Sequence, residues 1–194
     1  MSVSLNKKES VSLEKTSGGL THIFMGLGWD AAKPTGFFNK LFGVEPENID
    51  LDASCLLLDE NKNIVDTVWF RQLQSRDGSV SHSGDNLTGD GDGDDEVIKV
   101  DLTKLPNKVK HLVFVISSFR GQTFDKIDSA CCRLVDETNN TELAQYNLSG
   151  KNPYTAQVMA QVYKENGIWT MQAIGESTNG RTVNDFATFA KNLV

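Results

Sequence analysis

The residues from Asp85 to Glu96 carry the chemistry this sequence offers. They read Asp85-Asn86-Leu87-Thr88-Gly89-Asp90-Gly91-Asp92-Gly93-Asp94-Asp95-Glu96, with six carboxylates and no Lys or Arg. Calcium takes about 6–8 oxygen ligands at about 2.3–2.6 Å. Alternating Asp and Gly suits that demand. Carboxylates come from alternate positions, and the glycines let the backbone turn so that carbonyls face the ion. Carboxylates roughly 5 Å apart repel by about 1–3 kcal/mol. The segment is therefore either splayed and solvated or closed around a cation. On ligand number and oxygen type it reads as a calcium site, with Asp85, Asn86, Asp90, Asp92, Asp94, Asp95 and Glu96 as candidate ligands.

Two familiar loops are excluded. Asp90-x-Asp92-x-Asp94 matches the opening of an EF-hand, but Asp95 stands where the sharp-turn glycine belongs and Asp101 where the bidentate Glu belongs. The next stretch, Val97 to Leu102, reads as a strand and not as the second helix of an EF-hand. A phosphate loop is excluded because carboxylates repel phosphate and its lysine is missing.

Charge sharpens the reading. The net charge is −7, and the loop holds six of the 26 acids; elsewhere 20 acids face 19 bases. One acidic point means a cation or a basic partner, and it argues against nucleic acid, which needs a basic footprint. Further oxygens are available from Asp30, which ends Gly26-Leu27-Gly28-Trp29-Asp30, and from Asp50 and Asp52, which strand alternation puts on one face. Loops at one end of a sandwich can bring such residues to the loop. The plainer alternative is that Asp50 and Asp52 cap a strand and Asp30 ends a turn.

The elements that position these residues are mostly β. Strands are predicted at Val3–Leu5, Val11–Glu14, His22–Leu27, Leu51–Leu58, Ile64–Arg71, Val97–Leu102, Leu112–Ser117, Ala130–Val135, Leu143–Leu148, Ala156–Tyr163 and Trp169–Gly175. Helix is an alternative near Ala156–Tyr163. Thr182 and Asp185 form a capping-box pattern ahead of a C-terminal helix, with Val183, Phe186, Ala187, Ala190 and Val194 on one face. Ser54–Glu60 aligns weakly with Cys131–Glu137, and each follows a strand opened by a histidine, His22 or His111. The expected architecture is an all-β, two-sheet β-sandwich with an acidic calcium-binding loop and a short C-terminal helix. One domain spans 1–194, with residues 31–49 inserted as a long loop.

Other residues read as structure. Cys55, Cys131 and Cys132 are odd in number and sit in apolar runs, as reduced thiols would. The pair Cys131-Cys132 points to opposite faces of a strand and cannot easily chelate one atom. His82 lies just before the acidic loop, where it could support the site's ligands or act as a base, but a lone His near carboxylates reads first as an exposed strand residue. Trp29, Trp69, Trp169, Phe114, Phe119 and Phe124 read as core. The first residues contain no apolar signal segment and no run is long enough for a membrane helix, so a cytoplasmic chain is expected. No nucleophile elbow and no zinc spacing is present, and no enzyme is expected.

These stretches resemble the TerD family of tellurium-resistance and bacterial stress proteins. The resemblance is carried by Val3-Ser4-Leu5, by Gly26 to Asp30, by Asp50-Leu51-Asp52-Ala53-Ser54 and above all by Gly84 to Glu96. Gly36-Phe37-Phe38, Trp69-Phe70-Arg71 and Ser117-Ser118-Phe119-Arg120-Gly121-Gln122 make it most similar to the TerZ branch. Asp90 stands where relatives often carry Glu, which keeps the charge and shortens the reach. The resemblance implies a calcium-binding β-sandwich. It also implies a part in tellurite and stress resistance beside sibling tellurium-resistance proteins and a membrane partner of the TerC type, at the inner membrane surface. Three functions are then in competition. The first is a non-catalytic calcium module that assembles a complex. The second is calcium-dependent binding to anionic lipid, with Phe37, Phe38, Leu41 and Phe42 inserting. The third is a metal-dependent hydrolase, for which the sequence offers no convincing base.

Overall fold

The structure, a computed structural model, describes residues 2–13, 19–31, 50–84, 93–148 and 152–194. Twelve strands are seen among them: β1 (Val3–Ser4), β2 (Ser10–Ser12), β3 (His22–Ala31), β4 (Leu51–Leu58), β5 (Ile64–Val68), β6 (Val80–His82), β7 (Glu96–Asp101), β8 (His111–Ser118), β9 (Ile127–Asp136), β10 (Thr141–Leu148), β11 (Ala156–Glu165) and β12 (Ile168–Thr178). One helix, α1 (Val183–Lys191), comes after them. The first sheet has the order β1-β10-β9-β3-β7-β6 and the second β2-β12-β11-β8-β4-β5. All neighbours are antiparallel except β1 and β10, which run parallel. The all-β sandwich expected from the sequence is the fold observed.

Alternation explains the packing. Ile23, Met25, Leu27 and Trp29 of β3, Ile98 and Val100 of β7, and Leu51, Ala53, Cys55 and Leu57 of β4 belong to one core between the sheets. The even positions of β4, Leu56 and Leu58, join Val113, Val115 and Val158 in a second core closed by Val183, Phe186, Ala187 and Ala190 of α1. The helix is thus a third layer on the outer face of the second sheet, which is why every residue of β4 is buried. Its predicted start holds: the Asp185 carboxylate accepts the Thr182 N–H at 2.9 Å.

The weak repeat is visible in the topology. The order β5-β4-β8 in one sheet matches β10-β9-β3 in the other. The aligned acids do the same work: Asp59 Oδ1 accepts the Asn61 and Asn63 N–H groups, and Asp136 Oδ1 accepts the Thr138 N–H.

Ala156–Tyr163 is strand, as expected, within β11, and the helix alternative falls. Other elements differ from expectation. The Ile64–Arg71 run stops at Val68, because Trp69 and Gln72 exchange backbone hydrogen bonds and turn the chain. Strand β6 has too few residues to show a period. Phe119 is 39% exposed instead of core, whereas Phe114 and Phe124 are buried. Trp29 is core, while Trp69 and Trp169 are half-buried. Cys132 is core and Cys131 half-buried on the other face. Burial pushes the Cys131 thiol up, with Glu142 and Asp94 adding to the effect.

Candidate functional site

Strands β6 and β7 pair from Val80↔Val100 to His82↔Ile98, which makes them the two stems of the acidic loop. Just beyond, the Ser83 N–H donates to Val97 O at 2.8 Å and the Val97 N–H donates to Ser83 Oγ at 2.9 Å. The segment between must leave and return through one closed base.

Glu96 and His82 complete that base. Both face inward by alternation with Ile98 and Val80, and both side chains are fully buried. Glu96 Oε2 accepts the Ala53 N–H at 2.6 Å and lies 3.3 Å from His82 Nε2. His82 Nε2 is also 3.1 Å from Ala53 O. The Gly84 N–H donates to His82 Nδ1 at 3.0 Å, so Nδ1 is the acceptor and Nε2 carries the proton. The reason for the arrangement lies in β4. Its pairing with β5 runs only from Leu58↔Ile64 to Cys55↔Val68, so Ala53 has no β5 partner on that side. Glu96 and His82 replace that partner from the opposite sheet. The expectation of an exposed His82 is therefore corrected. Its neighbours in sequence gave no sign that β5 would end at Val68, opposite Cys55, and leave Ala53 without a β5 partner.

Gly93 to Asp95 lie over the outer face of the first sheet. The Asp95 N–H donates to Leu27 O, and Asp95 Oδ2 accepts the Trp29 N–H, both at 2.8 Å. Asp94 is held by Arg133 through two parallel bonds, Nε to Oδ1 at 2.7 Å and a terminal nitrogen to Oδ2 at 2.8 Å. That carboxylate pushes the Arg133 guanidinium up. The glycines of β3 make room for this. A Cβ at Gly26 would run into the Asp94 carboxyl, and one at Gly28 would sit 2.9 Å from Gly93 O. Gly26-Leu27-Gly28 is the strand over which the loop lies down.

The remaining candidates are spread through the layers. Asp50 is buried, and its Oδ2 accepts from Arg120 Nε at 3.2 Å. Asp52 is buried and shares the outer face of the second sheet with Leu56 and Leu58, away from Asp94 and Asp95. Sheets pack about 10 Å apart, so one ion does not bridge Asp52 to those two. The backbone of Asp30 pairs with Ser129, one residue beyond the Trp29 N–H that holds Asp95. Asp85, Asn86, Asp90 and Asp92 lie outside the described residues, as does 32–49 with Phe37, Phe38, Leu41 and Phe42. Among the described residues no three His, Cys, Asp or Glu side chains are grouped to hold a metal.

By donor chemistry the loop suits a hard cation. Its side chains offer oxygens, and the acids already engaged are held by N–H groups and Arg133. At the same end of β4, where β5 turns away, Phe70 packs edge-on against Trp69 and Phe119, with ring centroids 5.0 and 5.4 Å apart. The Arg71 guanidinium lies 5.2 Å from the Phe70 ring centre. This aromatic and arginine surface was hidden in the sequence because Trp69-Phe70-Arg71 continues a strand-like run.

The comparisons with known proteins agree with this architecture. The TerD domain family model matches residues 1–189. The tellurium resistance protein TerZ of Serratia marcescens is 48% identical over 183 residues, covering 94% of each chain. The stress response protein SCP2 of Bacillus subtilis is 41% identical over 195 residues, covering 95% of this chain and 97% of that one. Among solved structures, a homologue of the telluride resistance protein TerD from Streptomyces coelicolor superposes with a TM-score of 0.66 over 87% of this chain and 96% of that one. Its identity is 19%, which speaks to the fold alone.

Proposed function

Because the chain belongs to the TerD family of tellurium resistance and stress response proteins, we propose that it serves such a response as a non-catalytic calcium-binding module that acts by assembling a protein complex. The observation that carries this reading is the closed base. Ser83 and Val97 are tied together, and between them stand six acids and no base. A cation resolves the resulting repulsion. Asp85, Asn86, Asp90, Asp92 and Asp95 would hold the calcium, with Asp30 beside them. Asp94 is committed to Arg133 and Glu96 to Ala53. Bound calcium supplies positive charge that neutralises the loop and fixes its shape. The partners would be sibling tellurium-resistance proteins and a TerC-type membrane protein. Contact with the inner membrane would be peripheral and from the cytoplasm; among the described residues no helix is long and apolar enough to cross a membrane.

The hydrolase reading gains no base from His82. Both ring nitrogens of His82 are engaged and its side chain is buried, so it cannot reach a substrate on the loop. A second reading, calcium-dependent binding to anionic lipid, is favoured by exposed Leu73 and by exposed Phe119, which packs on the Phe70 ring that Arg71 covers. Phosphatidylserine vesicles separate it from complex assembly: calcium-dependent pelleting supports it, and no pelleting removes it.

The test of calcium binding is melting of metal-stripped protein in EDTA, then with Ca²⁺, then with Mg²⁺. Calcium at about 100 times its Kd adds about 2.7 kcal/mol, a rise of about 5–10 °C for a chain of this size. Asp92→Asn should remove most of it. No rise with any cation would leave a solvated acidic tip.

A further inference from the structure

The N-terminal segment crosses from one sheet to the other. Val3 and Ser4 pair with β10 of the first sheet, and Ser10 to Ser12 pair with β12 of the second. The Leu5 N–H donates to Gln145 O, the Lys8 N–H to Ala173 O and the Ala173 N–H to Glu9 O, all within 2.8–2.9 Å. This crossing roofs a cleft of about 440 Å³ between the sheets, a volume in the lower part of the range for small-molecule sites. It lies at the β1 edge of the first sheet, whereas the acidic loop springs from the β6 edge.

The floor of the cleft is polar where a core position would be apolar. Gln157 is 3% exposed, and its carboxamide oxygen has no hydrogen-bond partner. Tyr146 lines the same cleft and brings a phenolic O–H that can donate as well as accept. Burial pushes the Tyr146 hydroxyl up, which keeps that proton in place. The Tyr146 hydroxyl takes the space over Gly175, which has φ +67° and where a Cβ would collide with it. Asn147, Asn152 and Ser177 line the walls. The charge at the rim is already paired, with Lys7 Nζ 3.0 Å from Glu176. The walls therefore offer amide and hydroxyl donors and acceptors, with their one charged side chain, Lys7, held to Glu176 at the rim, and a buried acceptor without a donor is costly to keep.

We propose that this cleft binds a small, neutral, polyhydroxylated molecule of about monosaccharide size. The proposal is independent of calcium. It is tested by titrating the ¹⁵N-labelled full chain with D-glucose, with myo-inositol and, separately, with sodium phosphate. The expected result is saturable shifts of the Tyr146, Gln157 and Gly175 amides with glucose or inositol. Affinity should fall at least about tenfold in Gln157→Leu, which keeps the bulk and removes the amide. It should also fall in Asn147→Ala, an exposed rim change that leaves the core intact and decides the matter if Gln157→Leu does not fold. The proposal is overturned by the absence of saturable shifts with both neutral probes up to about 100 mM. Shifts unweakened in the variants, or shifts that only phosphate produces, overturn it equally.

Discussion

At the β6–β7 edge six carboxylates crowd into one segment, and the chain answers with Arg133, the Trp29 and Ala53 N–H groups and a buried histidine. At the β1–β10 edge the cleft is lined by amides and hydroxyls, with Lys7 and Glu176 cancelling each other. The two edges solve different problems. Concentrated like charge needs a stiff frame, because carboxylates left free to move separate into water. A neutral cleft needs only a roof and room, which the crossing segment and Gly175 provide. The acidic edge should therefore respond to loss of its frame more strongly than the neutral edge responds to loss of any one group.

The largest effect is expected at Glu96. Glu96→Ala leaves the Ala53 N–H buried without an acceptor, while the His82 Nε2–H keeps Ala53 O, a loss of about 3–5 kcal/mol from the orphaned donor together with the cavity that the deleted side chain leaves. In EDTA the melting point should drop by about 6–20 °C. Glu96→Gln keeps an oxygen for Ala53 and should retain most of the stability. Should Glu96→Ala melt like the parent in EDTA and lose only the calcium-induced rise, Glu96 is a ligand and not part of the frame.

A smaller effect is expected where the loop lies on β3. Gly26→Ala drives a methyl into the Asp94 carboxyl and should cost about 1–3 kcal/mol, as overpacking does. Denaturant midpoints at unchanged slope check this. Arg133→Ala acts through charge. It removes a cation from beside the loop and releases Asp94, so calcium affinity should rise about three- to tenfold. Calorimetric titration reads it, and an unchanged affinity would mean the ion sits far from Asp94.

Much of this was legible because alternation and turn chemistry are local. Leu51–Leu58, the Asp59 and Asp136 turns and the Thr182–Asp185 helix start are all set by short stretches. The acidic loop announced itself by residue type. Its internal division did not. Asp94, Asp95 and Glu96 are adjacent, yet one binds Arg133, one a strand N–H and one the opposite sheet. Those partners lie 39, 66 and 43 residues away in sequence. Likewise Asp50 and Asp52 looked like recruits to the loop, and only the register of β4 puts Asp52 on the helix-covered face.

Asp66 offers the finest comparison, between an acid satisfied by donors and the crowded acids of the loop. Burial raises its carboxyl, but the Arg76 N–H at 2.7 Å, the Gln72 amide at 2.9 Å, the Thr67 N–H at 2.9 Å and the Arg76 charge outweigh this and hold it below the ordinary range. These bonds anchor the Trp69–Arg76 segment that carries the aromatic surface. A carboxyl lower in the folded chain than in the unfolded one stabilises fully above the unfolded pKa of about 3.9, and that stability drains as the pH falls toward the folded value. The melting point of calcium-free protein should thus decline between about pH 5 and pH 2. Asp66→Asn has no proton to take up, so its curve should be flatter, with a deficit of about 1 kcal/mol at neutral pH that shrinks as acid is added. Parallel curves would show that Asp66 contributes nothing through its charge. Asp92→Asn, in contrast, should raise the calcium-free melting point at neutral pH, because removing one of several like charges relieves the loop. The opposite signs of the two variants would separate acids that the fold has satisfied from acids that await a cation.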